Sequence, residues 1–127
     1  MRVFSVIFVF LALFTGVTRA EQPMFDQQKA DALFHQLLNA QALKDYEAFV
    51  AHGTLELKAA LGKTQFDAAS DFMNNRLKGG YEVDPFGELN QRGLQVFLYR
   101  LRFKDGGDDM LGTMSLKDGE VAGIYFK

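Results

Sequence analysis

The sequence predicts an α+β domain: N-terminal helices packed on a curved antiparallel sheet, a cone-shaped α+β roll. Three observations carry that expectation. Apolar residues recur at helical spacing through the first two thirds of the mature chain. From Gly93 to Lys127 the pattern changes to period two, broken by Asp105-Gly106-Gly107-Asp108 and by Asp118-Gly119. Helical patterns come first and strand patterns second, and such segregation favours helices on one face of an antiparallel sheet over a parallel βαβ arrangement.

Residues 1–20 read as a secretory signal peptide. Arg2 gives a short positive start, Val3 to Phe14 is apolar, Gly16 interrupts, and Thr18-Arg19-Ala20 places small residues where a signal peptidase reads them. The apolar run is about a dozen residues, short of the roughly 20 that span a bilayer. Cleavage after Ala20 leaves residues 21–127 as a single exported domain, periplasmic or extracellular, with no stable membrane anchor. Arg2 and Arg19 leave with the signal, so 12 basic residues face 16 acidic ones. That balance argues against nucleic acid as a partner, which rewards a basic surface. With no cysteine in the chain, neither disulfides nor thiolate chemistry contribute.

Glu21 to Phe25 reads as a lead-in. Asp26 suits the N-cap of a first helix whose stripe is Ala30, Leu33, Phe34, Leu37 and Leu38. Asp45 caps a short second helix with Tyr46, Phe49 and Val50 inward, ended by Gly53. Thr54 caps a third carrying Leu55, Leu57 and Leu61, stopped by Gly62. Thr64-Gln65-Phe66-Asp67 resembles a capping box, opening a helix with Phe66, Ala69, Met73 and Leu77 on one stripe and Gly79-Gly80 at its end. Tyr81 to Leu89 looks extended, but Pro85 lacks a ladder donor, so it reads as an edge strand or a strand with a bulge.

The register of the last strands follows from turn lengths. A two-residue turn at Asp118-Gly119 sets Lys117 opposite Glu120, Leu116 opposite Val121, Met114 opposite Gly123 and Gly112 opposite Tyr125. A four-residue loop, 105–108, sets Phe103 opposite Met110, Leu101 opposite Gly112 and Tyr99 opposite Met114. One face then gathers Phe97, Tyr99, Leu101, Phe103, Met110, Met114, Leu116, Val121 and Tyr125 as the core. The other gathers Val96, Leu98, Leu111, Ala122, Ile124 and Phe126, interspersed with Arg100, Arg102, Thr113 and Ser115.

The helices joined near Lys44-Asp45-Tyr46, a further helix, and a meander ending Asp118-Gly119-Glu120-Val121-Ala122-Gly123-Ile124 resemble the cystatin-like, nuclear-transport-factor-2-like superfamily. Within it, the chain resembles small exported bacterial domains of unassigned function. The resemblance implies a cone whose mouth holds a ligand. It spans dehydratases, isomerases and non-catalytic modules, so it implies no activity.

Candidate chemistry is sparse. Asp31 and His35 lie four apart on one helix and are candidates for an acid–base pair, although both flank the apolar stripe. His52 falls at a helix C-terminus, where the dipole favours an imidazolium. No metal site follows from two histidines without a carboxylate cluster, and no cofactor motif is present. Asp105, Asp108 and Asp109 lack the spacing of a calcium loop and read as a solvated turn. Arg100 and Arg102 share a face and either hold an anion or simply meet solvent. Gly112 and Gly123, expected on the core face, either admit a bulky neighbour or leave a hollow. The hollow version gives a ligand pocket of Tyr99, Gly112, Met114, Gly123 and Tyr125.

The leading expectation is therefore a non-enzymatic exported module that self-associates or binds a small apolar or peptide ligand. The rival is a small isomerase or dehydratase using His35 and Asp31. The half-apolar outer sheet face suggests a homodimer as partner arrangement. A cystatin-type inhibitor ranks last, since no Gln-x-Val-x-Gly-like loop is present.

Overall fold

The computed structural model describes residues 25–127. The signal-peptide reading of residues 1–20, and the lead-in as far as residue 24, lie outside the described residues. Four helices, α1 (Gln27–Ala42), α2 (Tyr46–Val50), α3 (Leu55–Ala60) and α4 (Lys63–Lys78), precede four strands, β1 (Tyr81–Gln91), β2 (Leu94–Phe103), β3 (Met110–Lys117) and β4 (Glu120–Phe126). The strands form one open antiparallel sheet in the order β1-β2-β3-β4, and the helices pack on it in an α+β arrangement. No helix of the described residues is long and apolar enough to cross a membrane.

Local chemistry sets the helix starts. Asp26, Asp45 and Thr54 each accept a backbone N–H three residues on, at 2.8, 3.1 and 3.1 Å, which satisfies donors that no helical carbonyl reaches. The α4 start departs from the expected Thr64. Gly62 is the N-cap, and its N–H donates to Gln65 Oε1 at 2.7 Å. Glycine brings no side chain to the cap, so only the Gln65 half of a capping box operates.

Both two-residue hairpins use a left-handed pair: Arg92-Gly93 at φ 53° and 80°, and Asp118-Gly119 at φ 52° and 83°. Those signs match the twist of the flanking strands. Edge strand β1 carries the irregularity that Pro85 foretold, a register shift between Pro85 and Gly87.

The β2–β3 register differs from the expected one by two residues. Tyr99 faces Gly112 and Leu101 faces Met110. The cause lies in the loop, which runs from 104 to 109. Arg76 donates to Asp105 Oδ2 at 2.8 Å and to the Asp108 carbonyl at 2.8 Å, while Gly107 N–H donates to Asp105 Oδ1 at 2.7 Å. Lys104 N–H goes to the Gly80 carbonyl instead of to β3. A two-residue shift leaves every side chain on its expected face, so the inward set of β2 and β3 stands.

In β4 the correction is larger. Lys117 faces Glu120 and Leu116 faces Val121 as expected, but Ser115 then faces Gly123, so Ala122 is an extra residue. This bulge reverses the strand's later residues. Ile124 and Phe126 turn to the helical side and pack against the core, while Tyr125 turns outward and is 69% exposed. Val121 is held on its free side by His52 and Thr54: its N–H donates to the His52 carbonyl at 2.8 Å, and its carbonyl accepts from Thr54 N–H at 2.9 Å.

The core lies between α1 and the inner sheet face. Phe34, Leu37 and Leu38 of α1 meet Phe97, Tyr99, Leu101, Met114 and Leu116, all buried. Phe34 stacks on Tyr99 with ring centroids 4.0 Å apart and planes 14° from parallel. Arg76 lies over the Phe103 ring, its guanidinium carbon 3.9 Å from the centroid, and ties the end of α4 to the sheet.

Candidate functional site

The residues expected to form a pocket are not brought together as one. A Cβ added at Gly112 would lie 2.7 Å from Cζ of Phe34 and 3.2 Å from Cδ1 of Leu101. The space that glycine opens is therefore filled by the Phe34 ring, and Tyr99 and Met114 are buried around it. Gly123 sits across from Ser115 on the outer side, with the Tyr125 ring folded over it. Close packing, and not a hollow, explains both glycines.

The Tyr99 hydroxyl is buried without a hydrogen-bond partner. Burial, and secondarily Asp31 beside it, raise its pKa far above the ordinary phenol range, so the hydroxyl stays protonated. It is a packed core group with no access to a reactant.

Asp31 and His35 share the solvent flank of α1. His35 is exposed, and the Asp31 carboxylate accepts from Gln27 Nε2 at 2.7 Å. Among the described residues no hydrogen bond joins the two, and neither lines the apolar hollow described below. Arg100 and Arg102 are taken by β1: Arg100 reaches Asp84 at 3.1 Å, and Arg102 reaches Glu82 at 2.9 Å and Asp84 at 3.0 Å. The Arg100 hydrogen bond leads in holding the Asp84 carboxyl below its usual range. Asp105 is likewise committed to Arg76. Each of these charges meets an opposite charge at the exposed surface, where such pairs contribute little stability.

The hollow is elsewhere. A pocket of about 370 Å³ opens between α4 and the C-terminal end of β4. Phe66, Ala69, Phe72 and Met73 of α4 form one wall, Met110, Ile124, Tyr125 and Phe126 of the sheet another, and Phe49 and Leu61 close the side. Its origin is traceable to packing. α4 lies mainly on α1, so the β4 end of the sheet is left uncovered beyond it. The Ala122 bulge then aims Ile124 and Phe126 into that space. Phe49 and Phe66 brace each other with centroids 4.9 Å apart, and the exposed Phe72 also lines the pocket.

One polar group of the α1 stripe reaches this apolar chamber. Gln41 follows Leu37 by one turn, is 3% exposed, lines the pocket, and its Oε1 has no hydrogen-bond partner. Among the described residues no charged side chain lines the pocket. Of the residues singled out by sequence, only Tyr125 belongs to it. Gln41 was missed, yet a polar side chain at the next core position of the Phe34–Leu37–Leu38 stripe was a readable signal.

No family model matches the chain, and no curated protein matches it. Among solved structures, an uncharacterized cystatin-fold protein from Novosphingobium aromaticivorans is similar, with 10% identity over 76% of this chain and 95% of that one, at a TM-score of 0.42.

Proposed function

We propose that this chain is an exported, non-enzymatic module that takes up a small apolar ligand in the pocket between α4 and β4. The observation that carries the reading is the pocket itself: about 370 Å³, walled mostly by aromatic and aliphatic side chains. Size and lining are those of small-molecule sites, which bury most of a ligand's surface against apolar walls. The acid–base alternative has less support, since His35 faces solvent and the Asp31 carboxylate is engaged by Gln27.

Ala69→Trp tests the site. Ala69 is exposed on α4 and lines the pocket, so an indole there fills the chamber without opening the core. A neutral fluorescent hydrophobe, N-phenyl-1-naphthylamine, is expected to bind the unmodified protein saturably at one site. The substitution should weaken it at least about tenfold, the equivalent of roughly 1.4 kcal/mol. Equal titration curves for the two proteins would exclude this pocket as the site.

Export rests on the pattern of residues 1–20. The exported protein is expected to begin at Glu21, which intact mass or N-terminal sequencing reads directly. A retained Met1 in the membrane fraction would overturn it.

A further inference from the structure

We infer that the pocket selects an uncharged ligand with an aromatic or aliphatic body and one hydrogen-bond donor, a hydroxyl placed against the Gln41 amide oxygen. The inference rests on the pocket reading and adds the chemical class of the ligand. Gln41 occupies a core position of α1, 3% exposed, where a leucine would pack equally well and need no partner. Its Oε1 has no hydrogen-bond partner, and a buried polar atom in that state is costly. The other buried oxygens lacking partners, on Ser70 and Tyr99, do not line the pocket. Gln41 alone therefore combines burial, an unmet hydrogen bond and a place in the chamber wall. An amide oxygen only accepts, so the ligand must bring a donor, as a hydroxyl does.

The same lining excludes charge. Phe49, Phe66, Met73, Ile124 and Phe126 surround the amide with apolar surface, and among the described residues no basic or acidic side chain reaches the pocket. A carboxylate or ammonium entering it would lose its hydration with nothing to replace it. The chamber thus favours a phenol or an alcohol over a ketone or a fatty acid of the same size.

A matched series on one ring system tests this: naphthalene, 2-naphthol and 2-naphthoate, titrated into the purified protein by ¹H–¹⁵N NMR. 2-Naphthol is expected to bind about three- to tenfold more tightly than naphthalene, the effect of one net hydrogen bond. It should also shift the Gln41 side-chain NH₂ signals, which naphthalene leaves in place. 2-Naphthoate should bind roughly tenfold or more weakly than 2-naphthol, because its charge is desolvated without a partner. In Gln41→Leu, and in the unbranched Gln41→Met should the leucine variant fold poorly, the preference for 2-naphthol over naphthalene should vanish. If naphthalene and 2-naphthol bind equally well with the Gln41 signals unmoved, the ligand class is wrong while the pocket reading stands. If 2-naphthoate binds best, the exclusion of charge fails. If none of the three binds, both the pocket reading and the inference drawn from it fall.

Discussion

Leu101→Ala is expected to lose about 2–5 kcal/mol of stability, the usual cost of truncating a fully buried leucine. Leu101 sits mid-strand in β2, is 0% exposed, and belongs to the core cluster beneath α1. Thr113, on β3, points to the other side of the sheet between Leu98 and Tyr125. Its truncation to alanine should cost under about 1 kcal/mol, because it removes no core contact. The pair reads the pleat directly. Urea denaturation of the two variants should give a large fall in midpoint for the first and a small one for the second, with unchanged m-values. A reversed order would mean that β2 and β3 present the opposite faces, since a one-residue slip exchanges every side chain between core and solvent.

The helices were legible because their signals are local. Asp26, Asp45 and Thr54 lie beside the helices they cap, and the stripes of α1 and α4 repeat at 3.6-residue spacing within a few turns. The Asp118-Gly119 turn was legible for the same reason. What sequence reasoning missed depends on residues far apart in the chain. The 104–109 loop is shaped by Arg76, about thirty positions earlier, and by the Gly80 carbonyl. The β4 bulge is a second case. Ala122-Gly123 carries no marked polarity, and Ile124, Tyr125 and Phe126 are three apolar residues in succession, so alternation fits either register. The structure pins Val121 from its outer edge through His52 and Thr54, and the strand's first residues keep the hairpin register while Gly123 to Phe126 reverse.

That reversal has two consequences for what the protein presents to its surroundings. Ile124 and Phe126 leave the outer face and join the pocket, so the apolar patch expected to support a homodimer loses two of its largest side chains. What remains on that side is Val96, Leu98, Leu111 and Ala122, joined by the exposed Tyr125, beside the Arg100–Asp84 and Arg102–Glu82 ion pairs. Ile124→Glu, which the sequence alone recommends as a probe of self-association, therefore becomes a probe of the ligand pocket. The proposed ligand site moves with it, from Tyr99 and Gly112 at the centre of the sheet to the end of β4.

Phe34→Ala is expected to be among the most damaging single substitutions, costing about 3–5 kcal/mol. The ring is 0% exposed, stacks on Tyr99 at 4.0 Å, and fills the space over Gly112. Its removal leaves both the Tyr99 face and the glycine without contact atoms. Gly112→Ala approaches the same contact from the other side. Its methyl group would enter to 2.7 Å from Phe34 Cζ, and 3.2 and 3.3 Å from Leu101 and Phe126, with no open direction. Overpacking of this kind costs about 1–3 kcal/mol. The two substitutions should be coupled: in the Phe34→Ala background the closest contact is gone and only those with Leu101 and Phe126 remain, so Gly112→Ala should cost less there than in the unmodified protein. A double-mutant cycle measured by urea denaturation reads that coupling. Costs that simply add, to within about 0.5 kcal/mol, would show that the ring does not occupy the glycine's space, and the hollow expected around Tyr99, Gly112 and Met114 would be restored as a ligand site.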